Sequence, residues 1–552
     1  MFRGRAVNAD PFSVDIRKRI YNWVQNCNEN HAECIAGKIS VRLPTRVLDI
    51  GTSEDCKIKL WETQGAHGVY TTLSYVWGLV PQPETNKSNY DSRKAGFDKN
   101  ALSKTMQDAV DVTRALGIRY LWIDALCIIQ HDEEDFQREA ANMGAIYANS
   151  YITISAASGT DNTQGCFIPR PTTVYTTFDY TTQDGVSGKL GVYPIAIERA
   201  TDLLNYVRME KEPITKRGWT FQERVLTCRS LFFASDQIYF ECNREFKAED
   251  GTLINGRLLT TDKNSRSMSE DHTEDAYKND GEILPSENLD IEKLSTQSRK
   301  FNASSLQLQG KTRKIKELWD DLRYSYGSRL LTYPTDKFVA LSGIAHAFES
   351  SFNDKYIAGL WQSTLLRDLV WDSPKAPTRT WPVEKEPYLA PSWSWAAVDG
   401  AVPQDQDYDE GSLKQIAKVI STSVTLAPPG LNPYGAVIYG EIKLQAPLIP
   451  VQHKYTGQSK TNFICVTVRR KKGTFNTDID YIIDVKVLKS LLLYGLILWS
   501  EDRTSYLSLL VTPDVKKDQG YYSRLGVISM DKESLGKEAP KSVDTHSIIT
   551  LV

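Results

Sequence analysis

The chain alternates between strand-like and helix-like segments, and this order limits the folds that it can adopt. Strand signals at 69–76, 120–129 and 151–156 are separated by two segments, 103–117 and 132–147, whose apolar side chains recur at helical spacing. Strands that are joined through helices run parallel, with the helices packed on the faces of the sheet. The order β-α-β-α-β therefore predicts an α/β fold with a mostly parallel sheet flanked by helices.

The strand predicted at 120–129 carries polar groups where a buried strand is normally apolar. Asp124 interrupts the run Tyr120-Leu-Trp-Ile-Asp-Ala-Leu-Cys-Ile-Ile-Gln130, which also holds one thiol and one amide. Ligands of open α/β sheets gather at the carboxyl ends of strands, so an acid there is a candidate site residue. An aspartate that caps a helix or holds a loop backbone fits the same pattern.

Aromatic side chains follow the strand at 69–76. In the loop Ser74-Tyr-Val-Trp-Gly78 the glycine permits a tight departure from the strand, and the aromatic rings can stack on a planar ligand. The same rings can equally belong to the core. The candidate ligand-binding residues from these two strand ends are Ser74, Tyr75, Trp77, Gly78, Trp122, Cys127 and Gln130.

A helix is predicted to begin in Arg217-Gly-Trp-Thr-Phe-Gln-Glu223, where an indole, an amide and a carboxylate lie within one helical turn. A carboxylate beside an aromatic wall can be desolvated and tuned for acid–base or cation-stabilising work. A surface glutamate paired with Arg224 or Arg229 explains the same pattern. The candidate catalytic residues are Glu223 and Asp124. Further candidate ligand contacts are Arg217, Trp219 and Gln222.

Charge and apolar content exclude several classes of partner. Lys+Arg of 66 against Asp+Glu of 69 gives a net charge of -3, without the basic excess that binds nucleic acid. The longest apolar run, 488–499, is shorter than the ~20 residues of a membrane helix. The N-terminus has no apolar secretory signal, and eight cysteines over this length do not form a disulfide framework. We expect a cytoplasmic protein in a reducing compartment.

Three soft metal ligands lie close together near the N-terminus. The segment Cys27-x3-His31-x2-Cys34 has spacing compatible with zinc, and Cys56 offers a fourth ligand. However, the paired Cys-x2-Cys and His-x3-His patterns of zinc fingers are missing. A cluster that packs the N-terminal helix fits the segment better, so no metal site is predicted.

Composition divides the chain into four parts. Residues 246–310 are too polar to fold alone and are predicted to be an insert or linker. Before them lie an N-terminal helix with short strands, 1–62, and the α/β domain, 63–245. After them, 311–552 begins with a helical segment and continues into an antiparallel β-rich domain. The β-rich runs of this last part are 435–448, 463–469, 479–487, 491–499, 505–512 and 521–530.

Several of these motifs, in this order, resemble the fungal heterokaryon-incompatibility (HET) domain family. The matching segments are Tyr70-Thr-Thr-Leu-Ser-Tyr-Val-Trp-Gly78, Tyr120 to Gln130, Met143-Gly-Ala-Ile-Tyr147 and Arg217-Gly-Trp-Thr-Phe-Gln-Glu-Arg-Val-Leu226. Flanking segments resemble the family too: Trp23-x3-Cys27-x3-His31-x2-Cys34, Ala390-Pro-Ser-Trp-Ser-Trp395 and Arg524-Leu-Gly526. One departure is Ile129, where the family usually carries Asn.

The resemblance implies a domain similar to TIR domains, with a flavodoxin-like sheet. Family members trigger growth arrest or programmed death when genetically unlike fungal cells fuse. Some TIR domains cleave NAD with a helix-borne glutamate, and Trp219-x3-Glu223 is similar to that motif. By this resemblance Glu223 holds the ribose or stabilises the oxocarbenium as nicotinamide leaves. Asp124 and the loop 74–78 then line the pocket.

Three functions stay open at this point. The chain is a death effector of allorecognition, which binds an incompatibility partner protein, takes NAD as substrate, or does both. Alternatively, it is a recognition module in which the motifs only build a core and an interface. A third alternative is a repurposed scaffold, such as a cyclase of terpenoid or polyketide biosynthesis, whose aromatic-lined pocket binds a small molecule.

Overall fold

The chain forms two compact units, Met1–Asn302 and Ala303–Val552. The computed structural model describes the following residues: 6–32, 34, 40–51, 57–170, 176–182, 185–192, 208–255, 308–372, 378–381, 387–400, 402, 413–427, 432–451, 453–454, 467–470, 473–475, 477–483, 487, 490–501, 505–514, 516–517, 519–535 and 547–552.

The first unit is built around a nine-stranded sheet. The described strands of this unit are β1 Val41–Arg42, β2 Arg46–Asp49, β3 Lys59–Glu62, β4 His67–Gly68, β5 Tyr70–Ser74, β6 Thr85–Asn86, β7 Tyr120–Trp122, β8 Ile129–Gln130, β9 Thr153–Ser155, β10 Thr176–Thr181, β11 Ser187–Val192, β12 Arg229–Phe233, β13 Ile238–Cys242, β14 Glu245–Ala248 and β15 Leu253–Asn255. The order across the sheet is β15-β14-β13-β12-β9-β5-β7-β2-β3, and β1–β4, β6–β8 and β10–β11 form separate pairs.

The centre of this sheet is parallel, whereas both of its sides are antiparallel. Strands β12, β9, β5 and β7 are parallel neighbours. Strands β13, β14 and β15 on one side, and β2 and β3 on the other, run antiparallel. A tight turn such as 234–237 can join only antiparallel strands, because a parallel connection needs about a dozen residues. The α/β class is therefore confirmed, but the prediction of a mostly parallel sheet is corrected to a mixed one.

The helices predicted from apolar spacing at 103–117 and 132–147 are present in the structure. The described α-helices of the first unit are α1 Val14–Asn30, α2 Tyr90–Ala95, α3 Lys104–Ala115, α4 Asp124–Cys127, α5 Glu133–Ala148 and α6 Thr220–Leu226. Helix α5 begins after Asp132, whose side chain accepts the N–H of Asp135 at 3.5 Å, and its first turn is acidic, which suits the positive end of the helix dipole. Gly117 follows α3 with φ +73°, a backbone conformation that glycine adopts without strain.

The strand predicted at 120–129 is only three residues long. After β7 the chain enters the single helical turn α4, which begins at Asp124, and then the two-residue strand β8. The Asp124 carboxylate accepts the N–H of Ala125 at 2.8 Å, which favours the turn at this point. A short buried helix and a buried strand are equally apolar, so the pattern of hydrophobic residues did not separate them.

The predicted segments 1–62 and 63–245 share one sheet, because β2 and β3 pair onto β7. Residues 246–255, at the start of the predicted insert, belong to β14 and β15. Residues 256–307 of that insert lie outside the described chain. The four-part domain organisation stays a prediction.

The second unit is β-rich, as predicted. Its described helices are α7 Leu308–Gly327, α8 Ser342–Phe352, α9 Leu365–Asp368 and α10 Lys532–Leu535. Its strands are β16 Tyr356–Ile357, β17 Leu360–Trp361, β18 Thr380–Trp381, β19 Leu413–Gln415, β20 Lys418–Leu426, β21 Val437–Ala446, β22 Leu448–Val451, β23 His453–Lys454, β24 Thr467–Arg470, β25 Gly473–Phe475, β26 Thr477–Ile479, β27 Ile482–Ile483, β28 Leu493–Glu501, β29 Ser505–Pro513, β30 Tyr521–Asp531 and β31 Ser547–Leu551.

The main sheet of the second unit has the order β19-β28-β29-β30-β31-β21-β20, with β22 paired to β28 and β26 to β30. Only β30 and β31 run parallel among these described pairs. Its core buries a charge: the Arg524 guanidinium lies 3.3 Å from the centre of the Trp371 ring and donates to Asp480 Oδ2 at 2.8 Å. The pairing satisfies a cation that would otherwise be costly to bury.

Among the described residues, every helix is too short or too polar to pass through a lipid bilayer.

Candidate active site at the strand ends

Three distant segments meet beyond the carboxyl ends of β5 and β7. The loop after β5 carries Trp77, whose Nε1 donates to Asp124 Oδ2 at 2.9 Å. Arg217, which lies shortly before α6, donates through Nη1 to the backbone oxygen of Tyr75 at 2.8 Å. Its guanidinium also lies 5.2 Å from the centre of the Trp77 ring, within cation–π range. These contacts fix one aspartate, one arginine and an indole beside the first turn of α6.

Helix α6 brings Glu223 to the same region. The side chain is buried, with 4% of the residue exposed, and desolvation raises its pKa to about 7. This value is the net result: burial and the charge of Asp124 raise the pKa, whereas the charge of Arg217 and the neighbouring hydroxyls of Ser74 and Tyr147 oppose the rise. Glu223 Oε2 is fully buried and accepts no hydrogen bond from the described residues. A carboxyl in this state exchanges its proton near neutral pH, as a general acid or base requires.

Asp124 is held in a more polar environment than Glu223. Burial raises its pKa, but the charge of Arg217 and hydrogen bonds from Ala125, Trp77 and Tyr75 all favour the ionised form. The charge of Arg217 thus acts on both carboxylates, and Asp124 has hydrogen-bond donors that favour its ionised form. Two acids in unlike environments can take different roles in one site.

Two tyrosines complete the surroundings of the acids. Burial, together with the charges of Asp124 and Glu223, raises the pKa of both Tyr75 and Tyr147 well above its usual value, so both hydroxyls stay protonated. Tyr75 donates to Gln82 Oε1 at 2.7 Å, and Tyr147 donates to the backbone oxygen of Leu73 at 3.0 Å. Tyr147 was not among the predicted site residues. The sequence did offer a signal for it, because Tyr147 ends the segment Met143-Gly-Ala-Ile-Tyr147, which resembles a motif of the HET family.

The loop after β5 is tightly constrained. Gly78 has φ +72°, and a Cβ built there would lie 2.3 Å from Asp161 Cβ. Asn162 Nδ2 donates to the backbone oxygens of Trp77 and Val80, each at 3.0 Å. Glycine is thus required both by its backbone conformation and by the close approach of residue 161. The loop holds the Trp77 indole against Asp124.

Other predicted site residues have positions that are chiefly structural. The thiol of Cys127 lies in the hydrophobic core, where burial raises its pKa to about 12. Gln130 Nε2 donates to the backbone oxygens of Asp124 at 3.3 Å and Ile128 at 3.1 Å, so it supports the turn that carries the aspartate. Trp219 packs edge-on against Phe136, with ring centres 6.4 Å apart.

Two more predicted residues are wholly buried. Gln222 lies in α6 next to Glu223, with no exposed surface. Trp122 is equally buried and packs edge-on against Tyr147, with ring centres 5.7 Å apart. Its indole Nε1 has no hydrogen-bond partner in the part of the chain that the structure describes. Whether these residues contact a ligand stays a prediction.

The surface-pair explanation for Glu223 is wrong. Arg224 instead forms a two-pronged pair with Glu241, at 3.0 Å from each of its guanidinium nitrogens Nε and Nη2. Arg229 points to the sulfur of Cys27 and to backbone oxygens. Glu223 is therefore a buried residue and not a surface glutamate.

A cavity of about 490 Å³ lies elsewhere in the first unit. Its lining includes Tyr70, the first residue of β5, together with Glu139 and Ile146 of α5, but neither Asp124 nor Glu223. This places it at the amino end of β5, whereas the acids gather near the carboxyl end. Ligands of open α/β sheets bind at carboxyl ends, so we assign the chemistry to the acids rather than to this cavity.

The fold and these contacts define an α/β domain with a mixed sheet, and with a buried glutamate and a partly buried aspartate beyond its parallel strands. Residues 70–223 match the family model of the heterokaryon incompatibility protein (HET). The resemblance to the HET domain that was inferred from the motifs is therefore confirmed over residues 70–223. Neither the curated proteins nor the solved structures yielded a match to this chain.

Proposed function

We propose that the chain is an effector of heterokaryon incompatibility, and that its HET domain cleaves NAD with Glu223 as the central catalytic residue. The observation that carries this proposal is the state of the Glu223 carboxyl. It is buried, its pKa is about 7, one oxygen accepts no hydrogen bond among the described residues, and Asp124 and Arg217 act on its charge. A buried glutamate whose pKa is shifted strongly by desolvation and by a specific neighbouring charge is a candidate functional residue.

The strand order supports the TIR-like part of the proposal. Numbered along the chain, the four parallel strands β5, β7, β9 and β12 lie across the sheet as second, first, third and fourth. Flavodoxin-like sheets have this order and bind their ligand at the carboxyl side of the first and third strands, where the order reverses. Here these are β5 and β9, and the loop with Tyr75, Trp77 and Gly78 leaves β5 at that point.

The reaction assigns a distinct task to each group. In hydrolysis of the nicotinamide N-glycosidic bond, the bond from ribose C1′ to nitrogen breaks and its electron pair leaves with nicotinamide. The ribose then carries positive charge, which the carboxylate of Glu223 stabilises. Water adds to C1′ and gives one proton to the same carboxylate, which suits a group with a pKa of about 7. The products are ADP-ribose, nicotinamide and a proton, and Trp77 offers a ring for stacking.

The proposal is tested with the purified full chain and NAD, by chromatographic measurement of released nicotinamide. We expect release by the wild type and a loss of at least about 100-fold in Glu223→Gln, because the amide cannot accept the proton. Glu134→Gln, on the exposed face of α5, is the matched control and should retain the wild-type rate. Absence of nicotinamide release at high protein concentration would rule out NAD cleavage.

A second assay separates the effector role from the alternatives. Overexpression in a filamentous fungal host should arrest growth, and Glu223→Gln should relieve the arrest. Arrest that persists in Glu223→Gln would indicate that the protein acts through assembly without catalysis. No arrest with the wild type would favour the recognition module or the small-molecule enzyme instead.

A further inference from the structure

Four side chains with metal-binding atoms converge in the core of the first unit. Cys27 lies in the last turn of α1, His31 caps this helix, Cys34 follows, and Cys242 ends β13. All four residues are buried, and their ligand atoms all lie within 4.8 Å of one another. We propose that these residues form a structural zinc site with three thiolates and one imidazole.

The distances suit a tetrahedral ion. Zinc binds cysteine sulfur at about 2.3 Å and histidine nitrogen at about 2.0 Å, so neighbouring ligand atoms of a tetrahedron lie roughly 3.6 Å apart. The distance from His31 Nδ1 to Cys242 Sγ is 3.4 Å. Four protein ligands leave no open position for a substrate, which is the pattern of structural rather than catalytic zinc.

The second nitrogen of the histidine is also held. His31 Nε2 lies 3.5 Å from Glu245 Oε1, and Asn26 Nδ2 donates to the same oxygen at 3.3 Å. Lys247 forms an ion pair with this carboxylate. Zinc-binding histidines commonly turn their other ring nitrogen to a carboxylate, which orients the ring and strengthens it as a ligand. Glu245 therefore serves as the supporting residue of the site.

A buried arginine provides independent support for an anionic centre. Arg229 has no exposed surface, and its Nε donates to Cys27 Sγ at 3.1 Å. Its other nitrogens donate to the backbone oxygens of Cys34 at 2.7 Å and Tyr151 at 3.1 Å. No carboxylate pairs with it among the described residues. Zinc with three thiolates carries one net negative charge, and one arginine balances it. The anionic centre in turn stabilises a guanidinium that would be costly to bury alone.

The site connects parts of the chain that are far apart in sequence. Three ligands come from the segment around the end of α1, and the fourth comes from β13, next to β12 in the sheet. Zinc would therefore link the end of the N-terminal helix to the antiparallel side of the nine-stranded sheet. The sequence pattern offered Cys56 as fourth ligand, but that residue lies outside the described chain. Cys242 stood too far along the sequence to be recognised by spacing.

Metal content of the purified full chain tests this inference. We expect about one zinc per chain to remain after gel filtration, because closed sites of four ligands bind zinc tightly. Cys34→Ser and Cys242→Ser should lose the metal. The control is Cys166→Ser, since Cys166 is equally buried in the same unit but takes no part in the cluster. Wild type without zinc, or Cys242→Ser with a full complement, would overturn the inference.

A spectroscopic measurement keeps the test decisive if the cysteine variants fail to fold. Wild type reloaded with Co²⁺ should show thiolate-to-cobalt charge transfer and the intense d–d bands of a tetrahedral ion. His31→Cys should keep a tetrahedral spectrum, whereas His31→Ala should lose it, and Glu245→Gln should weaken binding roughly 10–100-fold. An octahedral Co²⁺ spectrum, or a thiol count that reveals a disulfide within the cluster, would contradict the site.

Discussion

Burial of Glu223 suits the carboxyl to proton exchange near neutral pH, but it lowers the stability of the folded protein where this carboxyl is ionised. Burial removes the Glu223 carboxylate from water, and the charge of Asp124 lies nearby. Both effects disfavour the ionised form of Glu223, whose pKa is raised to about 7. The unfolded chain ionises the same group at its usual pKa of 4.5. The folded protein therefore binds one more proton than the unfolded chain between these two values, and its stability must fall as the pH rises through them.

We expect this carboxyl to destabilise the protein by about 3 kcal/mol above pH 7 and not at all below pH 4.5. Glu223→Gln keeps the shape and removes the ionisation. The difference in free energy of unfolding between Glu223→Gln and wild type should therefore increase from pH 5 to pH 8 in urea denaturation. Comparing the two proteins cancels the other groups that titrate in this range.

Glu134→Gln is the control for this comparison, because Glu134 is exposed. Its difference from wild type should stay constant over the same pH range. A constant difference for Glu223→Gln as well would show that Glu223 ionises alike in the folded and unfolded states. The catalytic argument would then lose its electrostatic basis.

The turn after β5 positions the loop that carries Trp77. A comparison of Gly78 with Gly117 can separate the cost of backbone strain in this turn from the cost of close packing. Gly78 and Gly117 have nearly the same backbone conformation, with φ of +72° and +73°. A Cβ at Gly78 would meet Asp161 Cβ at 2.3 Å, whereas a Cβ at Gly117 would meet no atom within 4 Å. The two positions differ in the space available and not in the backbone.

Gly117→Ala should destabilise the first unit by about 1–2 kcal/mol, the cost of a left-handed backbone for an L-residue. Gly78→Ala should cost roughly 2 kcal/mol more, because residue 161 has to move as well. Urea denaturation measures both changes. Equal losses in the two variants would mean that the loop yields freely, and that the close approach of Asp161 does not constrain Trp77.

Elements with strong local signals were predictable, and short buried ones were not. Helix α5 followed from its acidic first turn and its apolar stripe, and α1 and α3 followed from their spacing. The prediction of one long strand at 120–129 was wrong because this segment is almost continuously apolar. Such a pattern fits a buried strand and a buried helical turn equally well. The antiparallel sides of the sheet were also missed, since the periodicity within one strand does not report the direction of its neighbour.

The division of the chain into two compact units predicts which fragment can fold alone. Every strand of the first sheet lies in residues 1–302, and its described core cluster is internal to that unit. We expect residues 1–302, expressed alone, to unfold in one cooperative transition, as measured by circular dichroism against temperature. An unfolded or aggregated fragment would show that this unit depends on the remainder of the chain.

A shorter fragment supplies the matched comparison. Residues 1–245 end at the predicted boundary of the α/β domain and lack Glu249, whose carboxylate accepts from Arg170 Nη1 at 2.6 Å and from the backbone N–H of Asn8 at 2.6 Å. Loss of that buried acid leaves the Arg170 guanidinium without this partner. The 1–245 fragment should therefore melt at a lower temperature than 1–302. Equal melting temperatures would support the boundary at 245.

The local sequence was sufficient to predict the alternation of strands and helices, the β-rich C-terminal part and the resemblance to the family. Periodicity, capping and motif spacing depend on near neighbours, so they can be read directly. The tertiary structure alone decided the mixed strand pairing, the effect of the Arg217 charge on both acids and the convergence of Cys242 on Cys27, His31 and Cys34. These features arise because folding joins residues far apart in sequence, and because burial changes the charge that a side chain can hold.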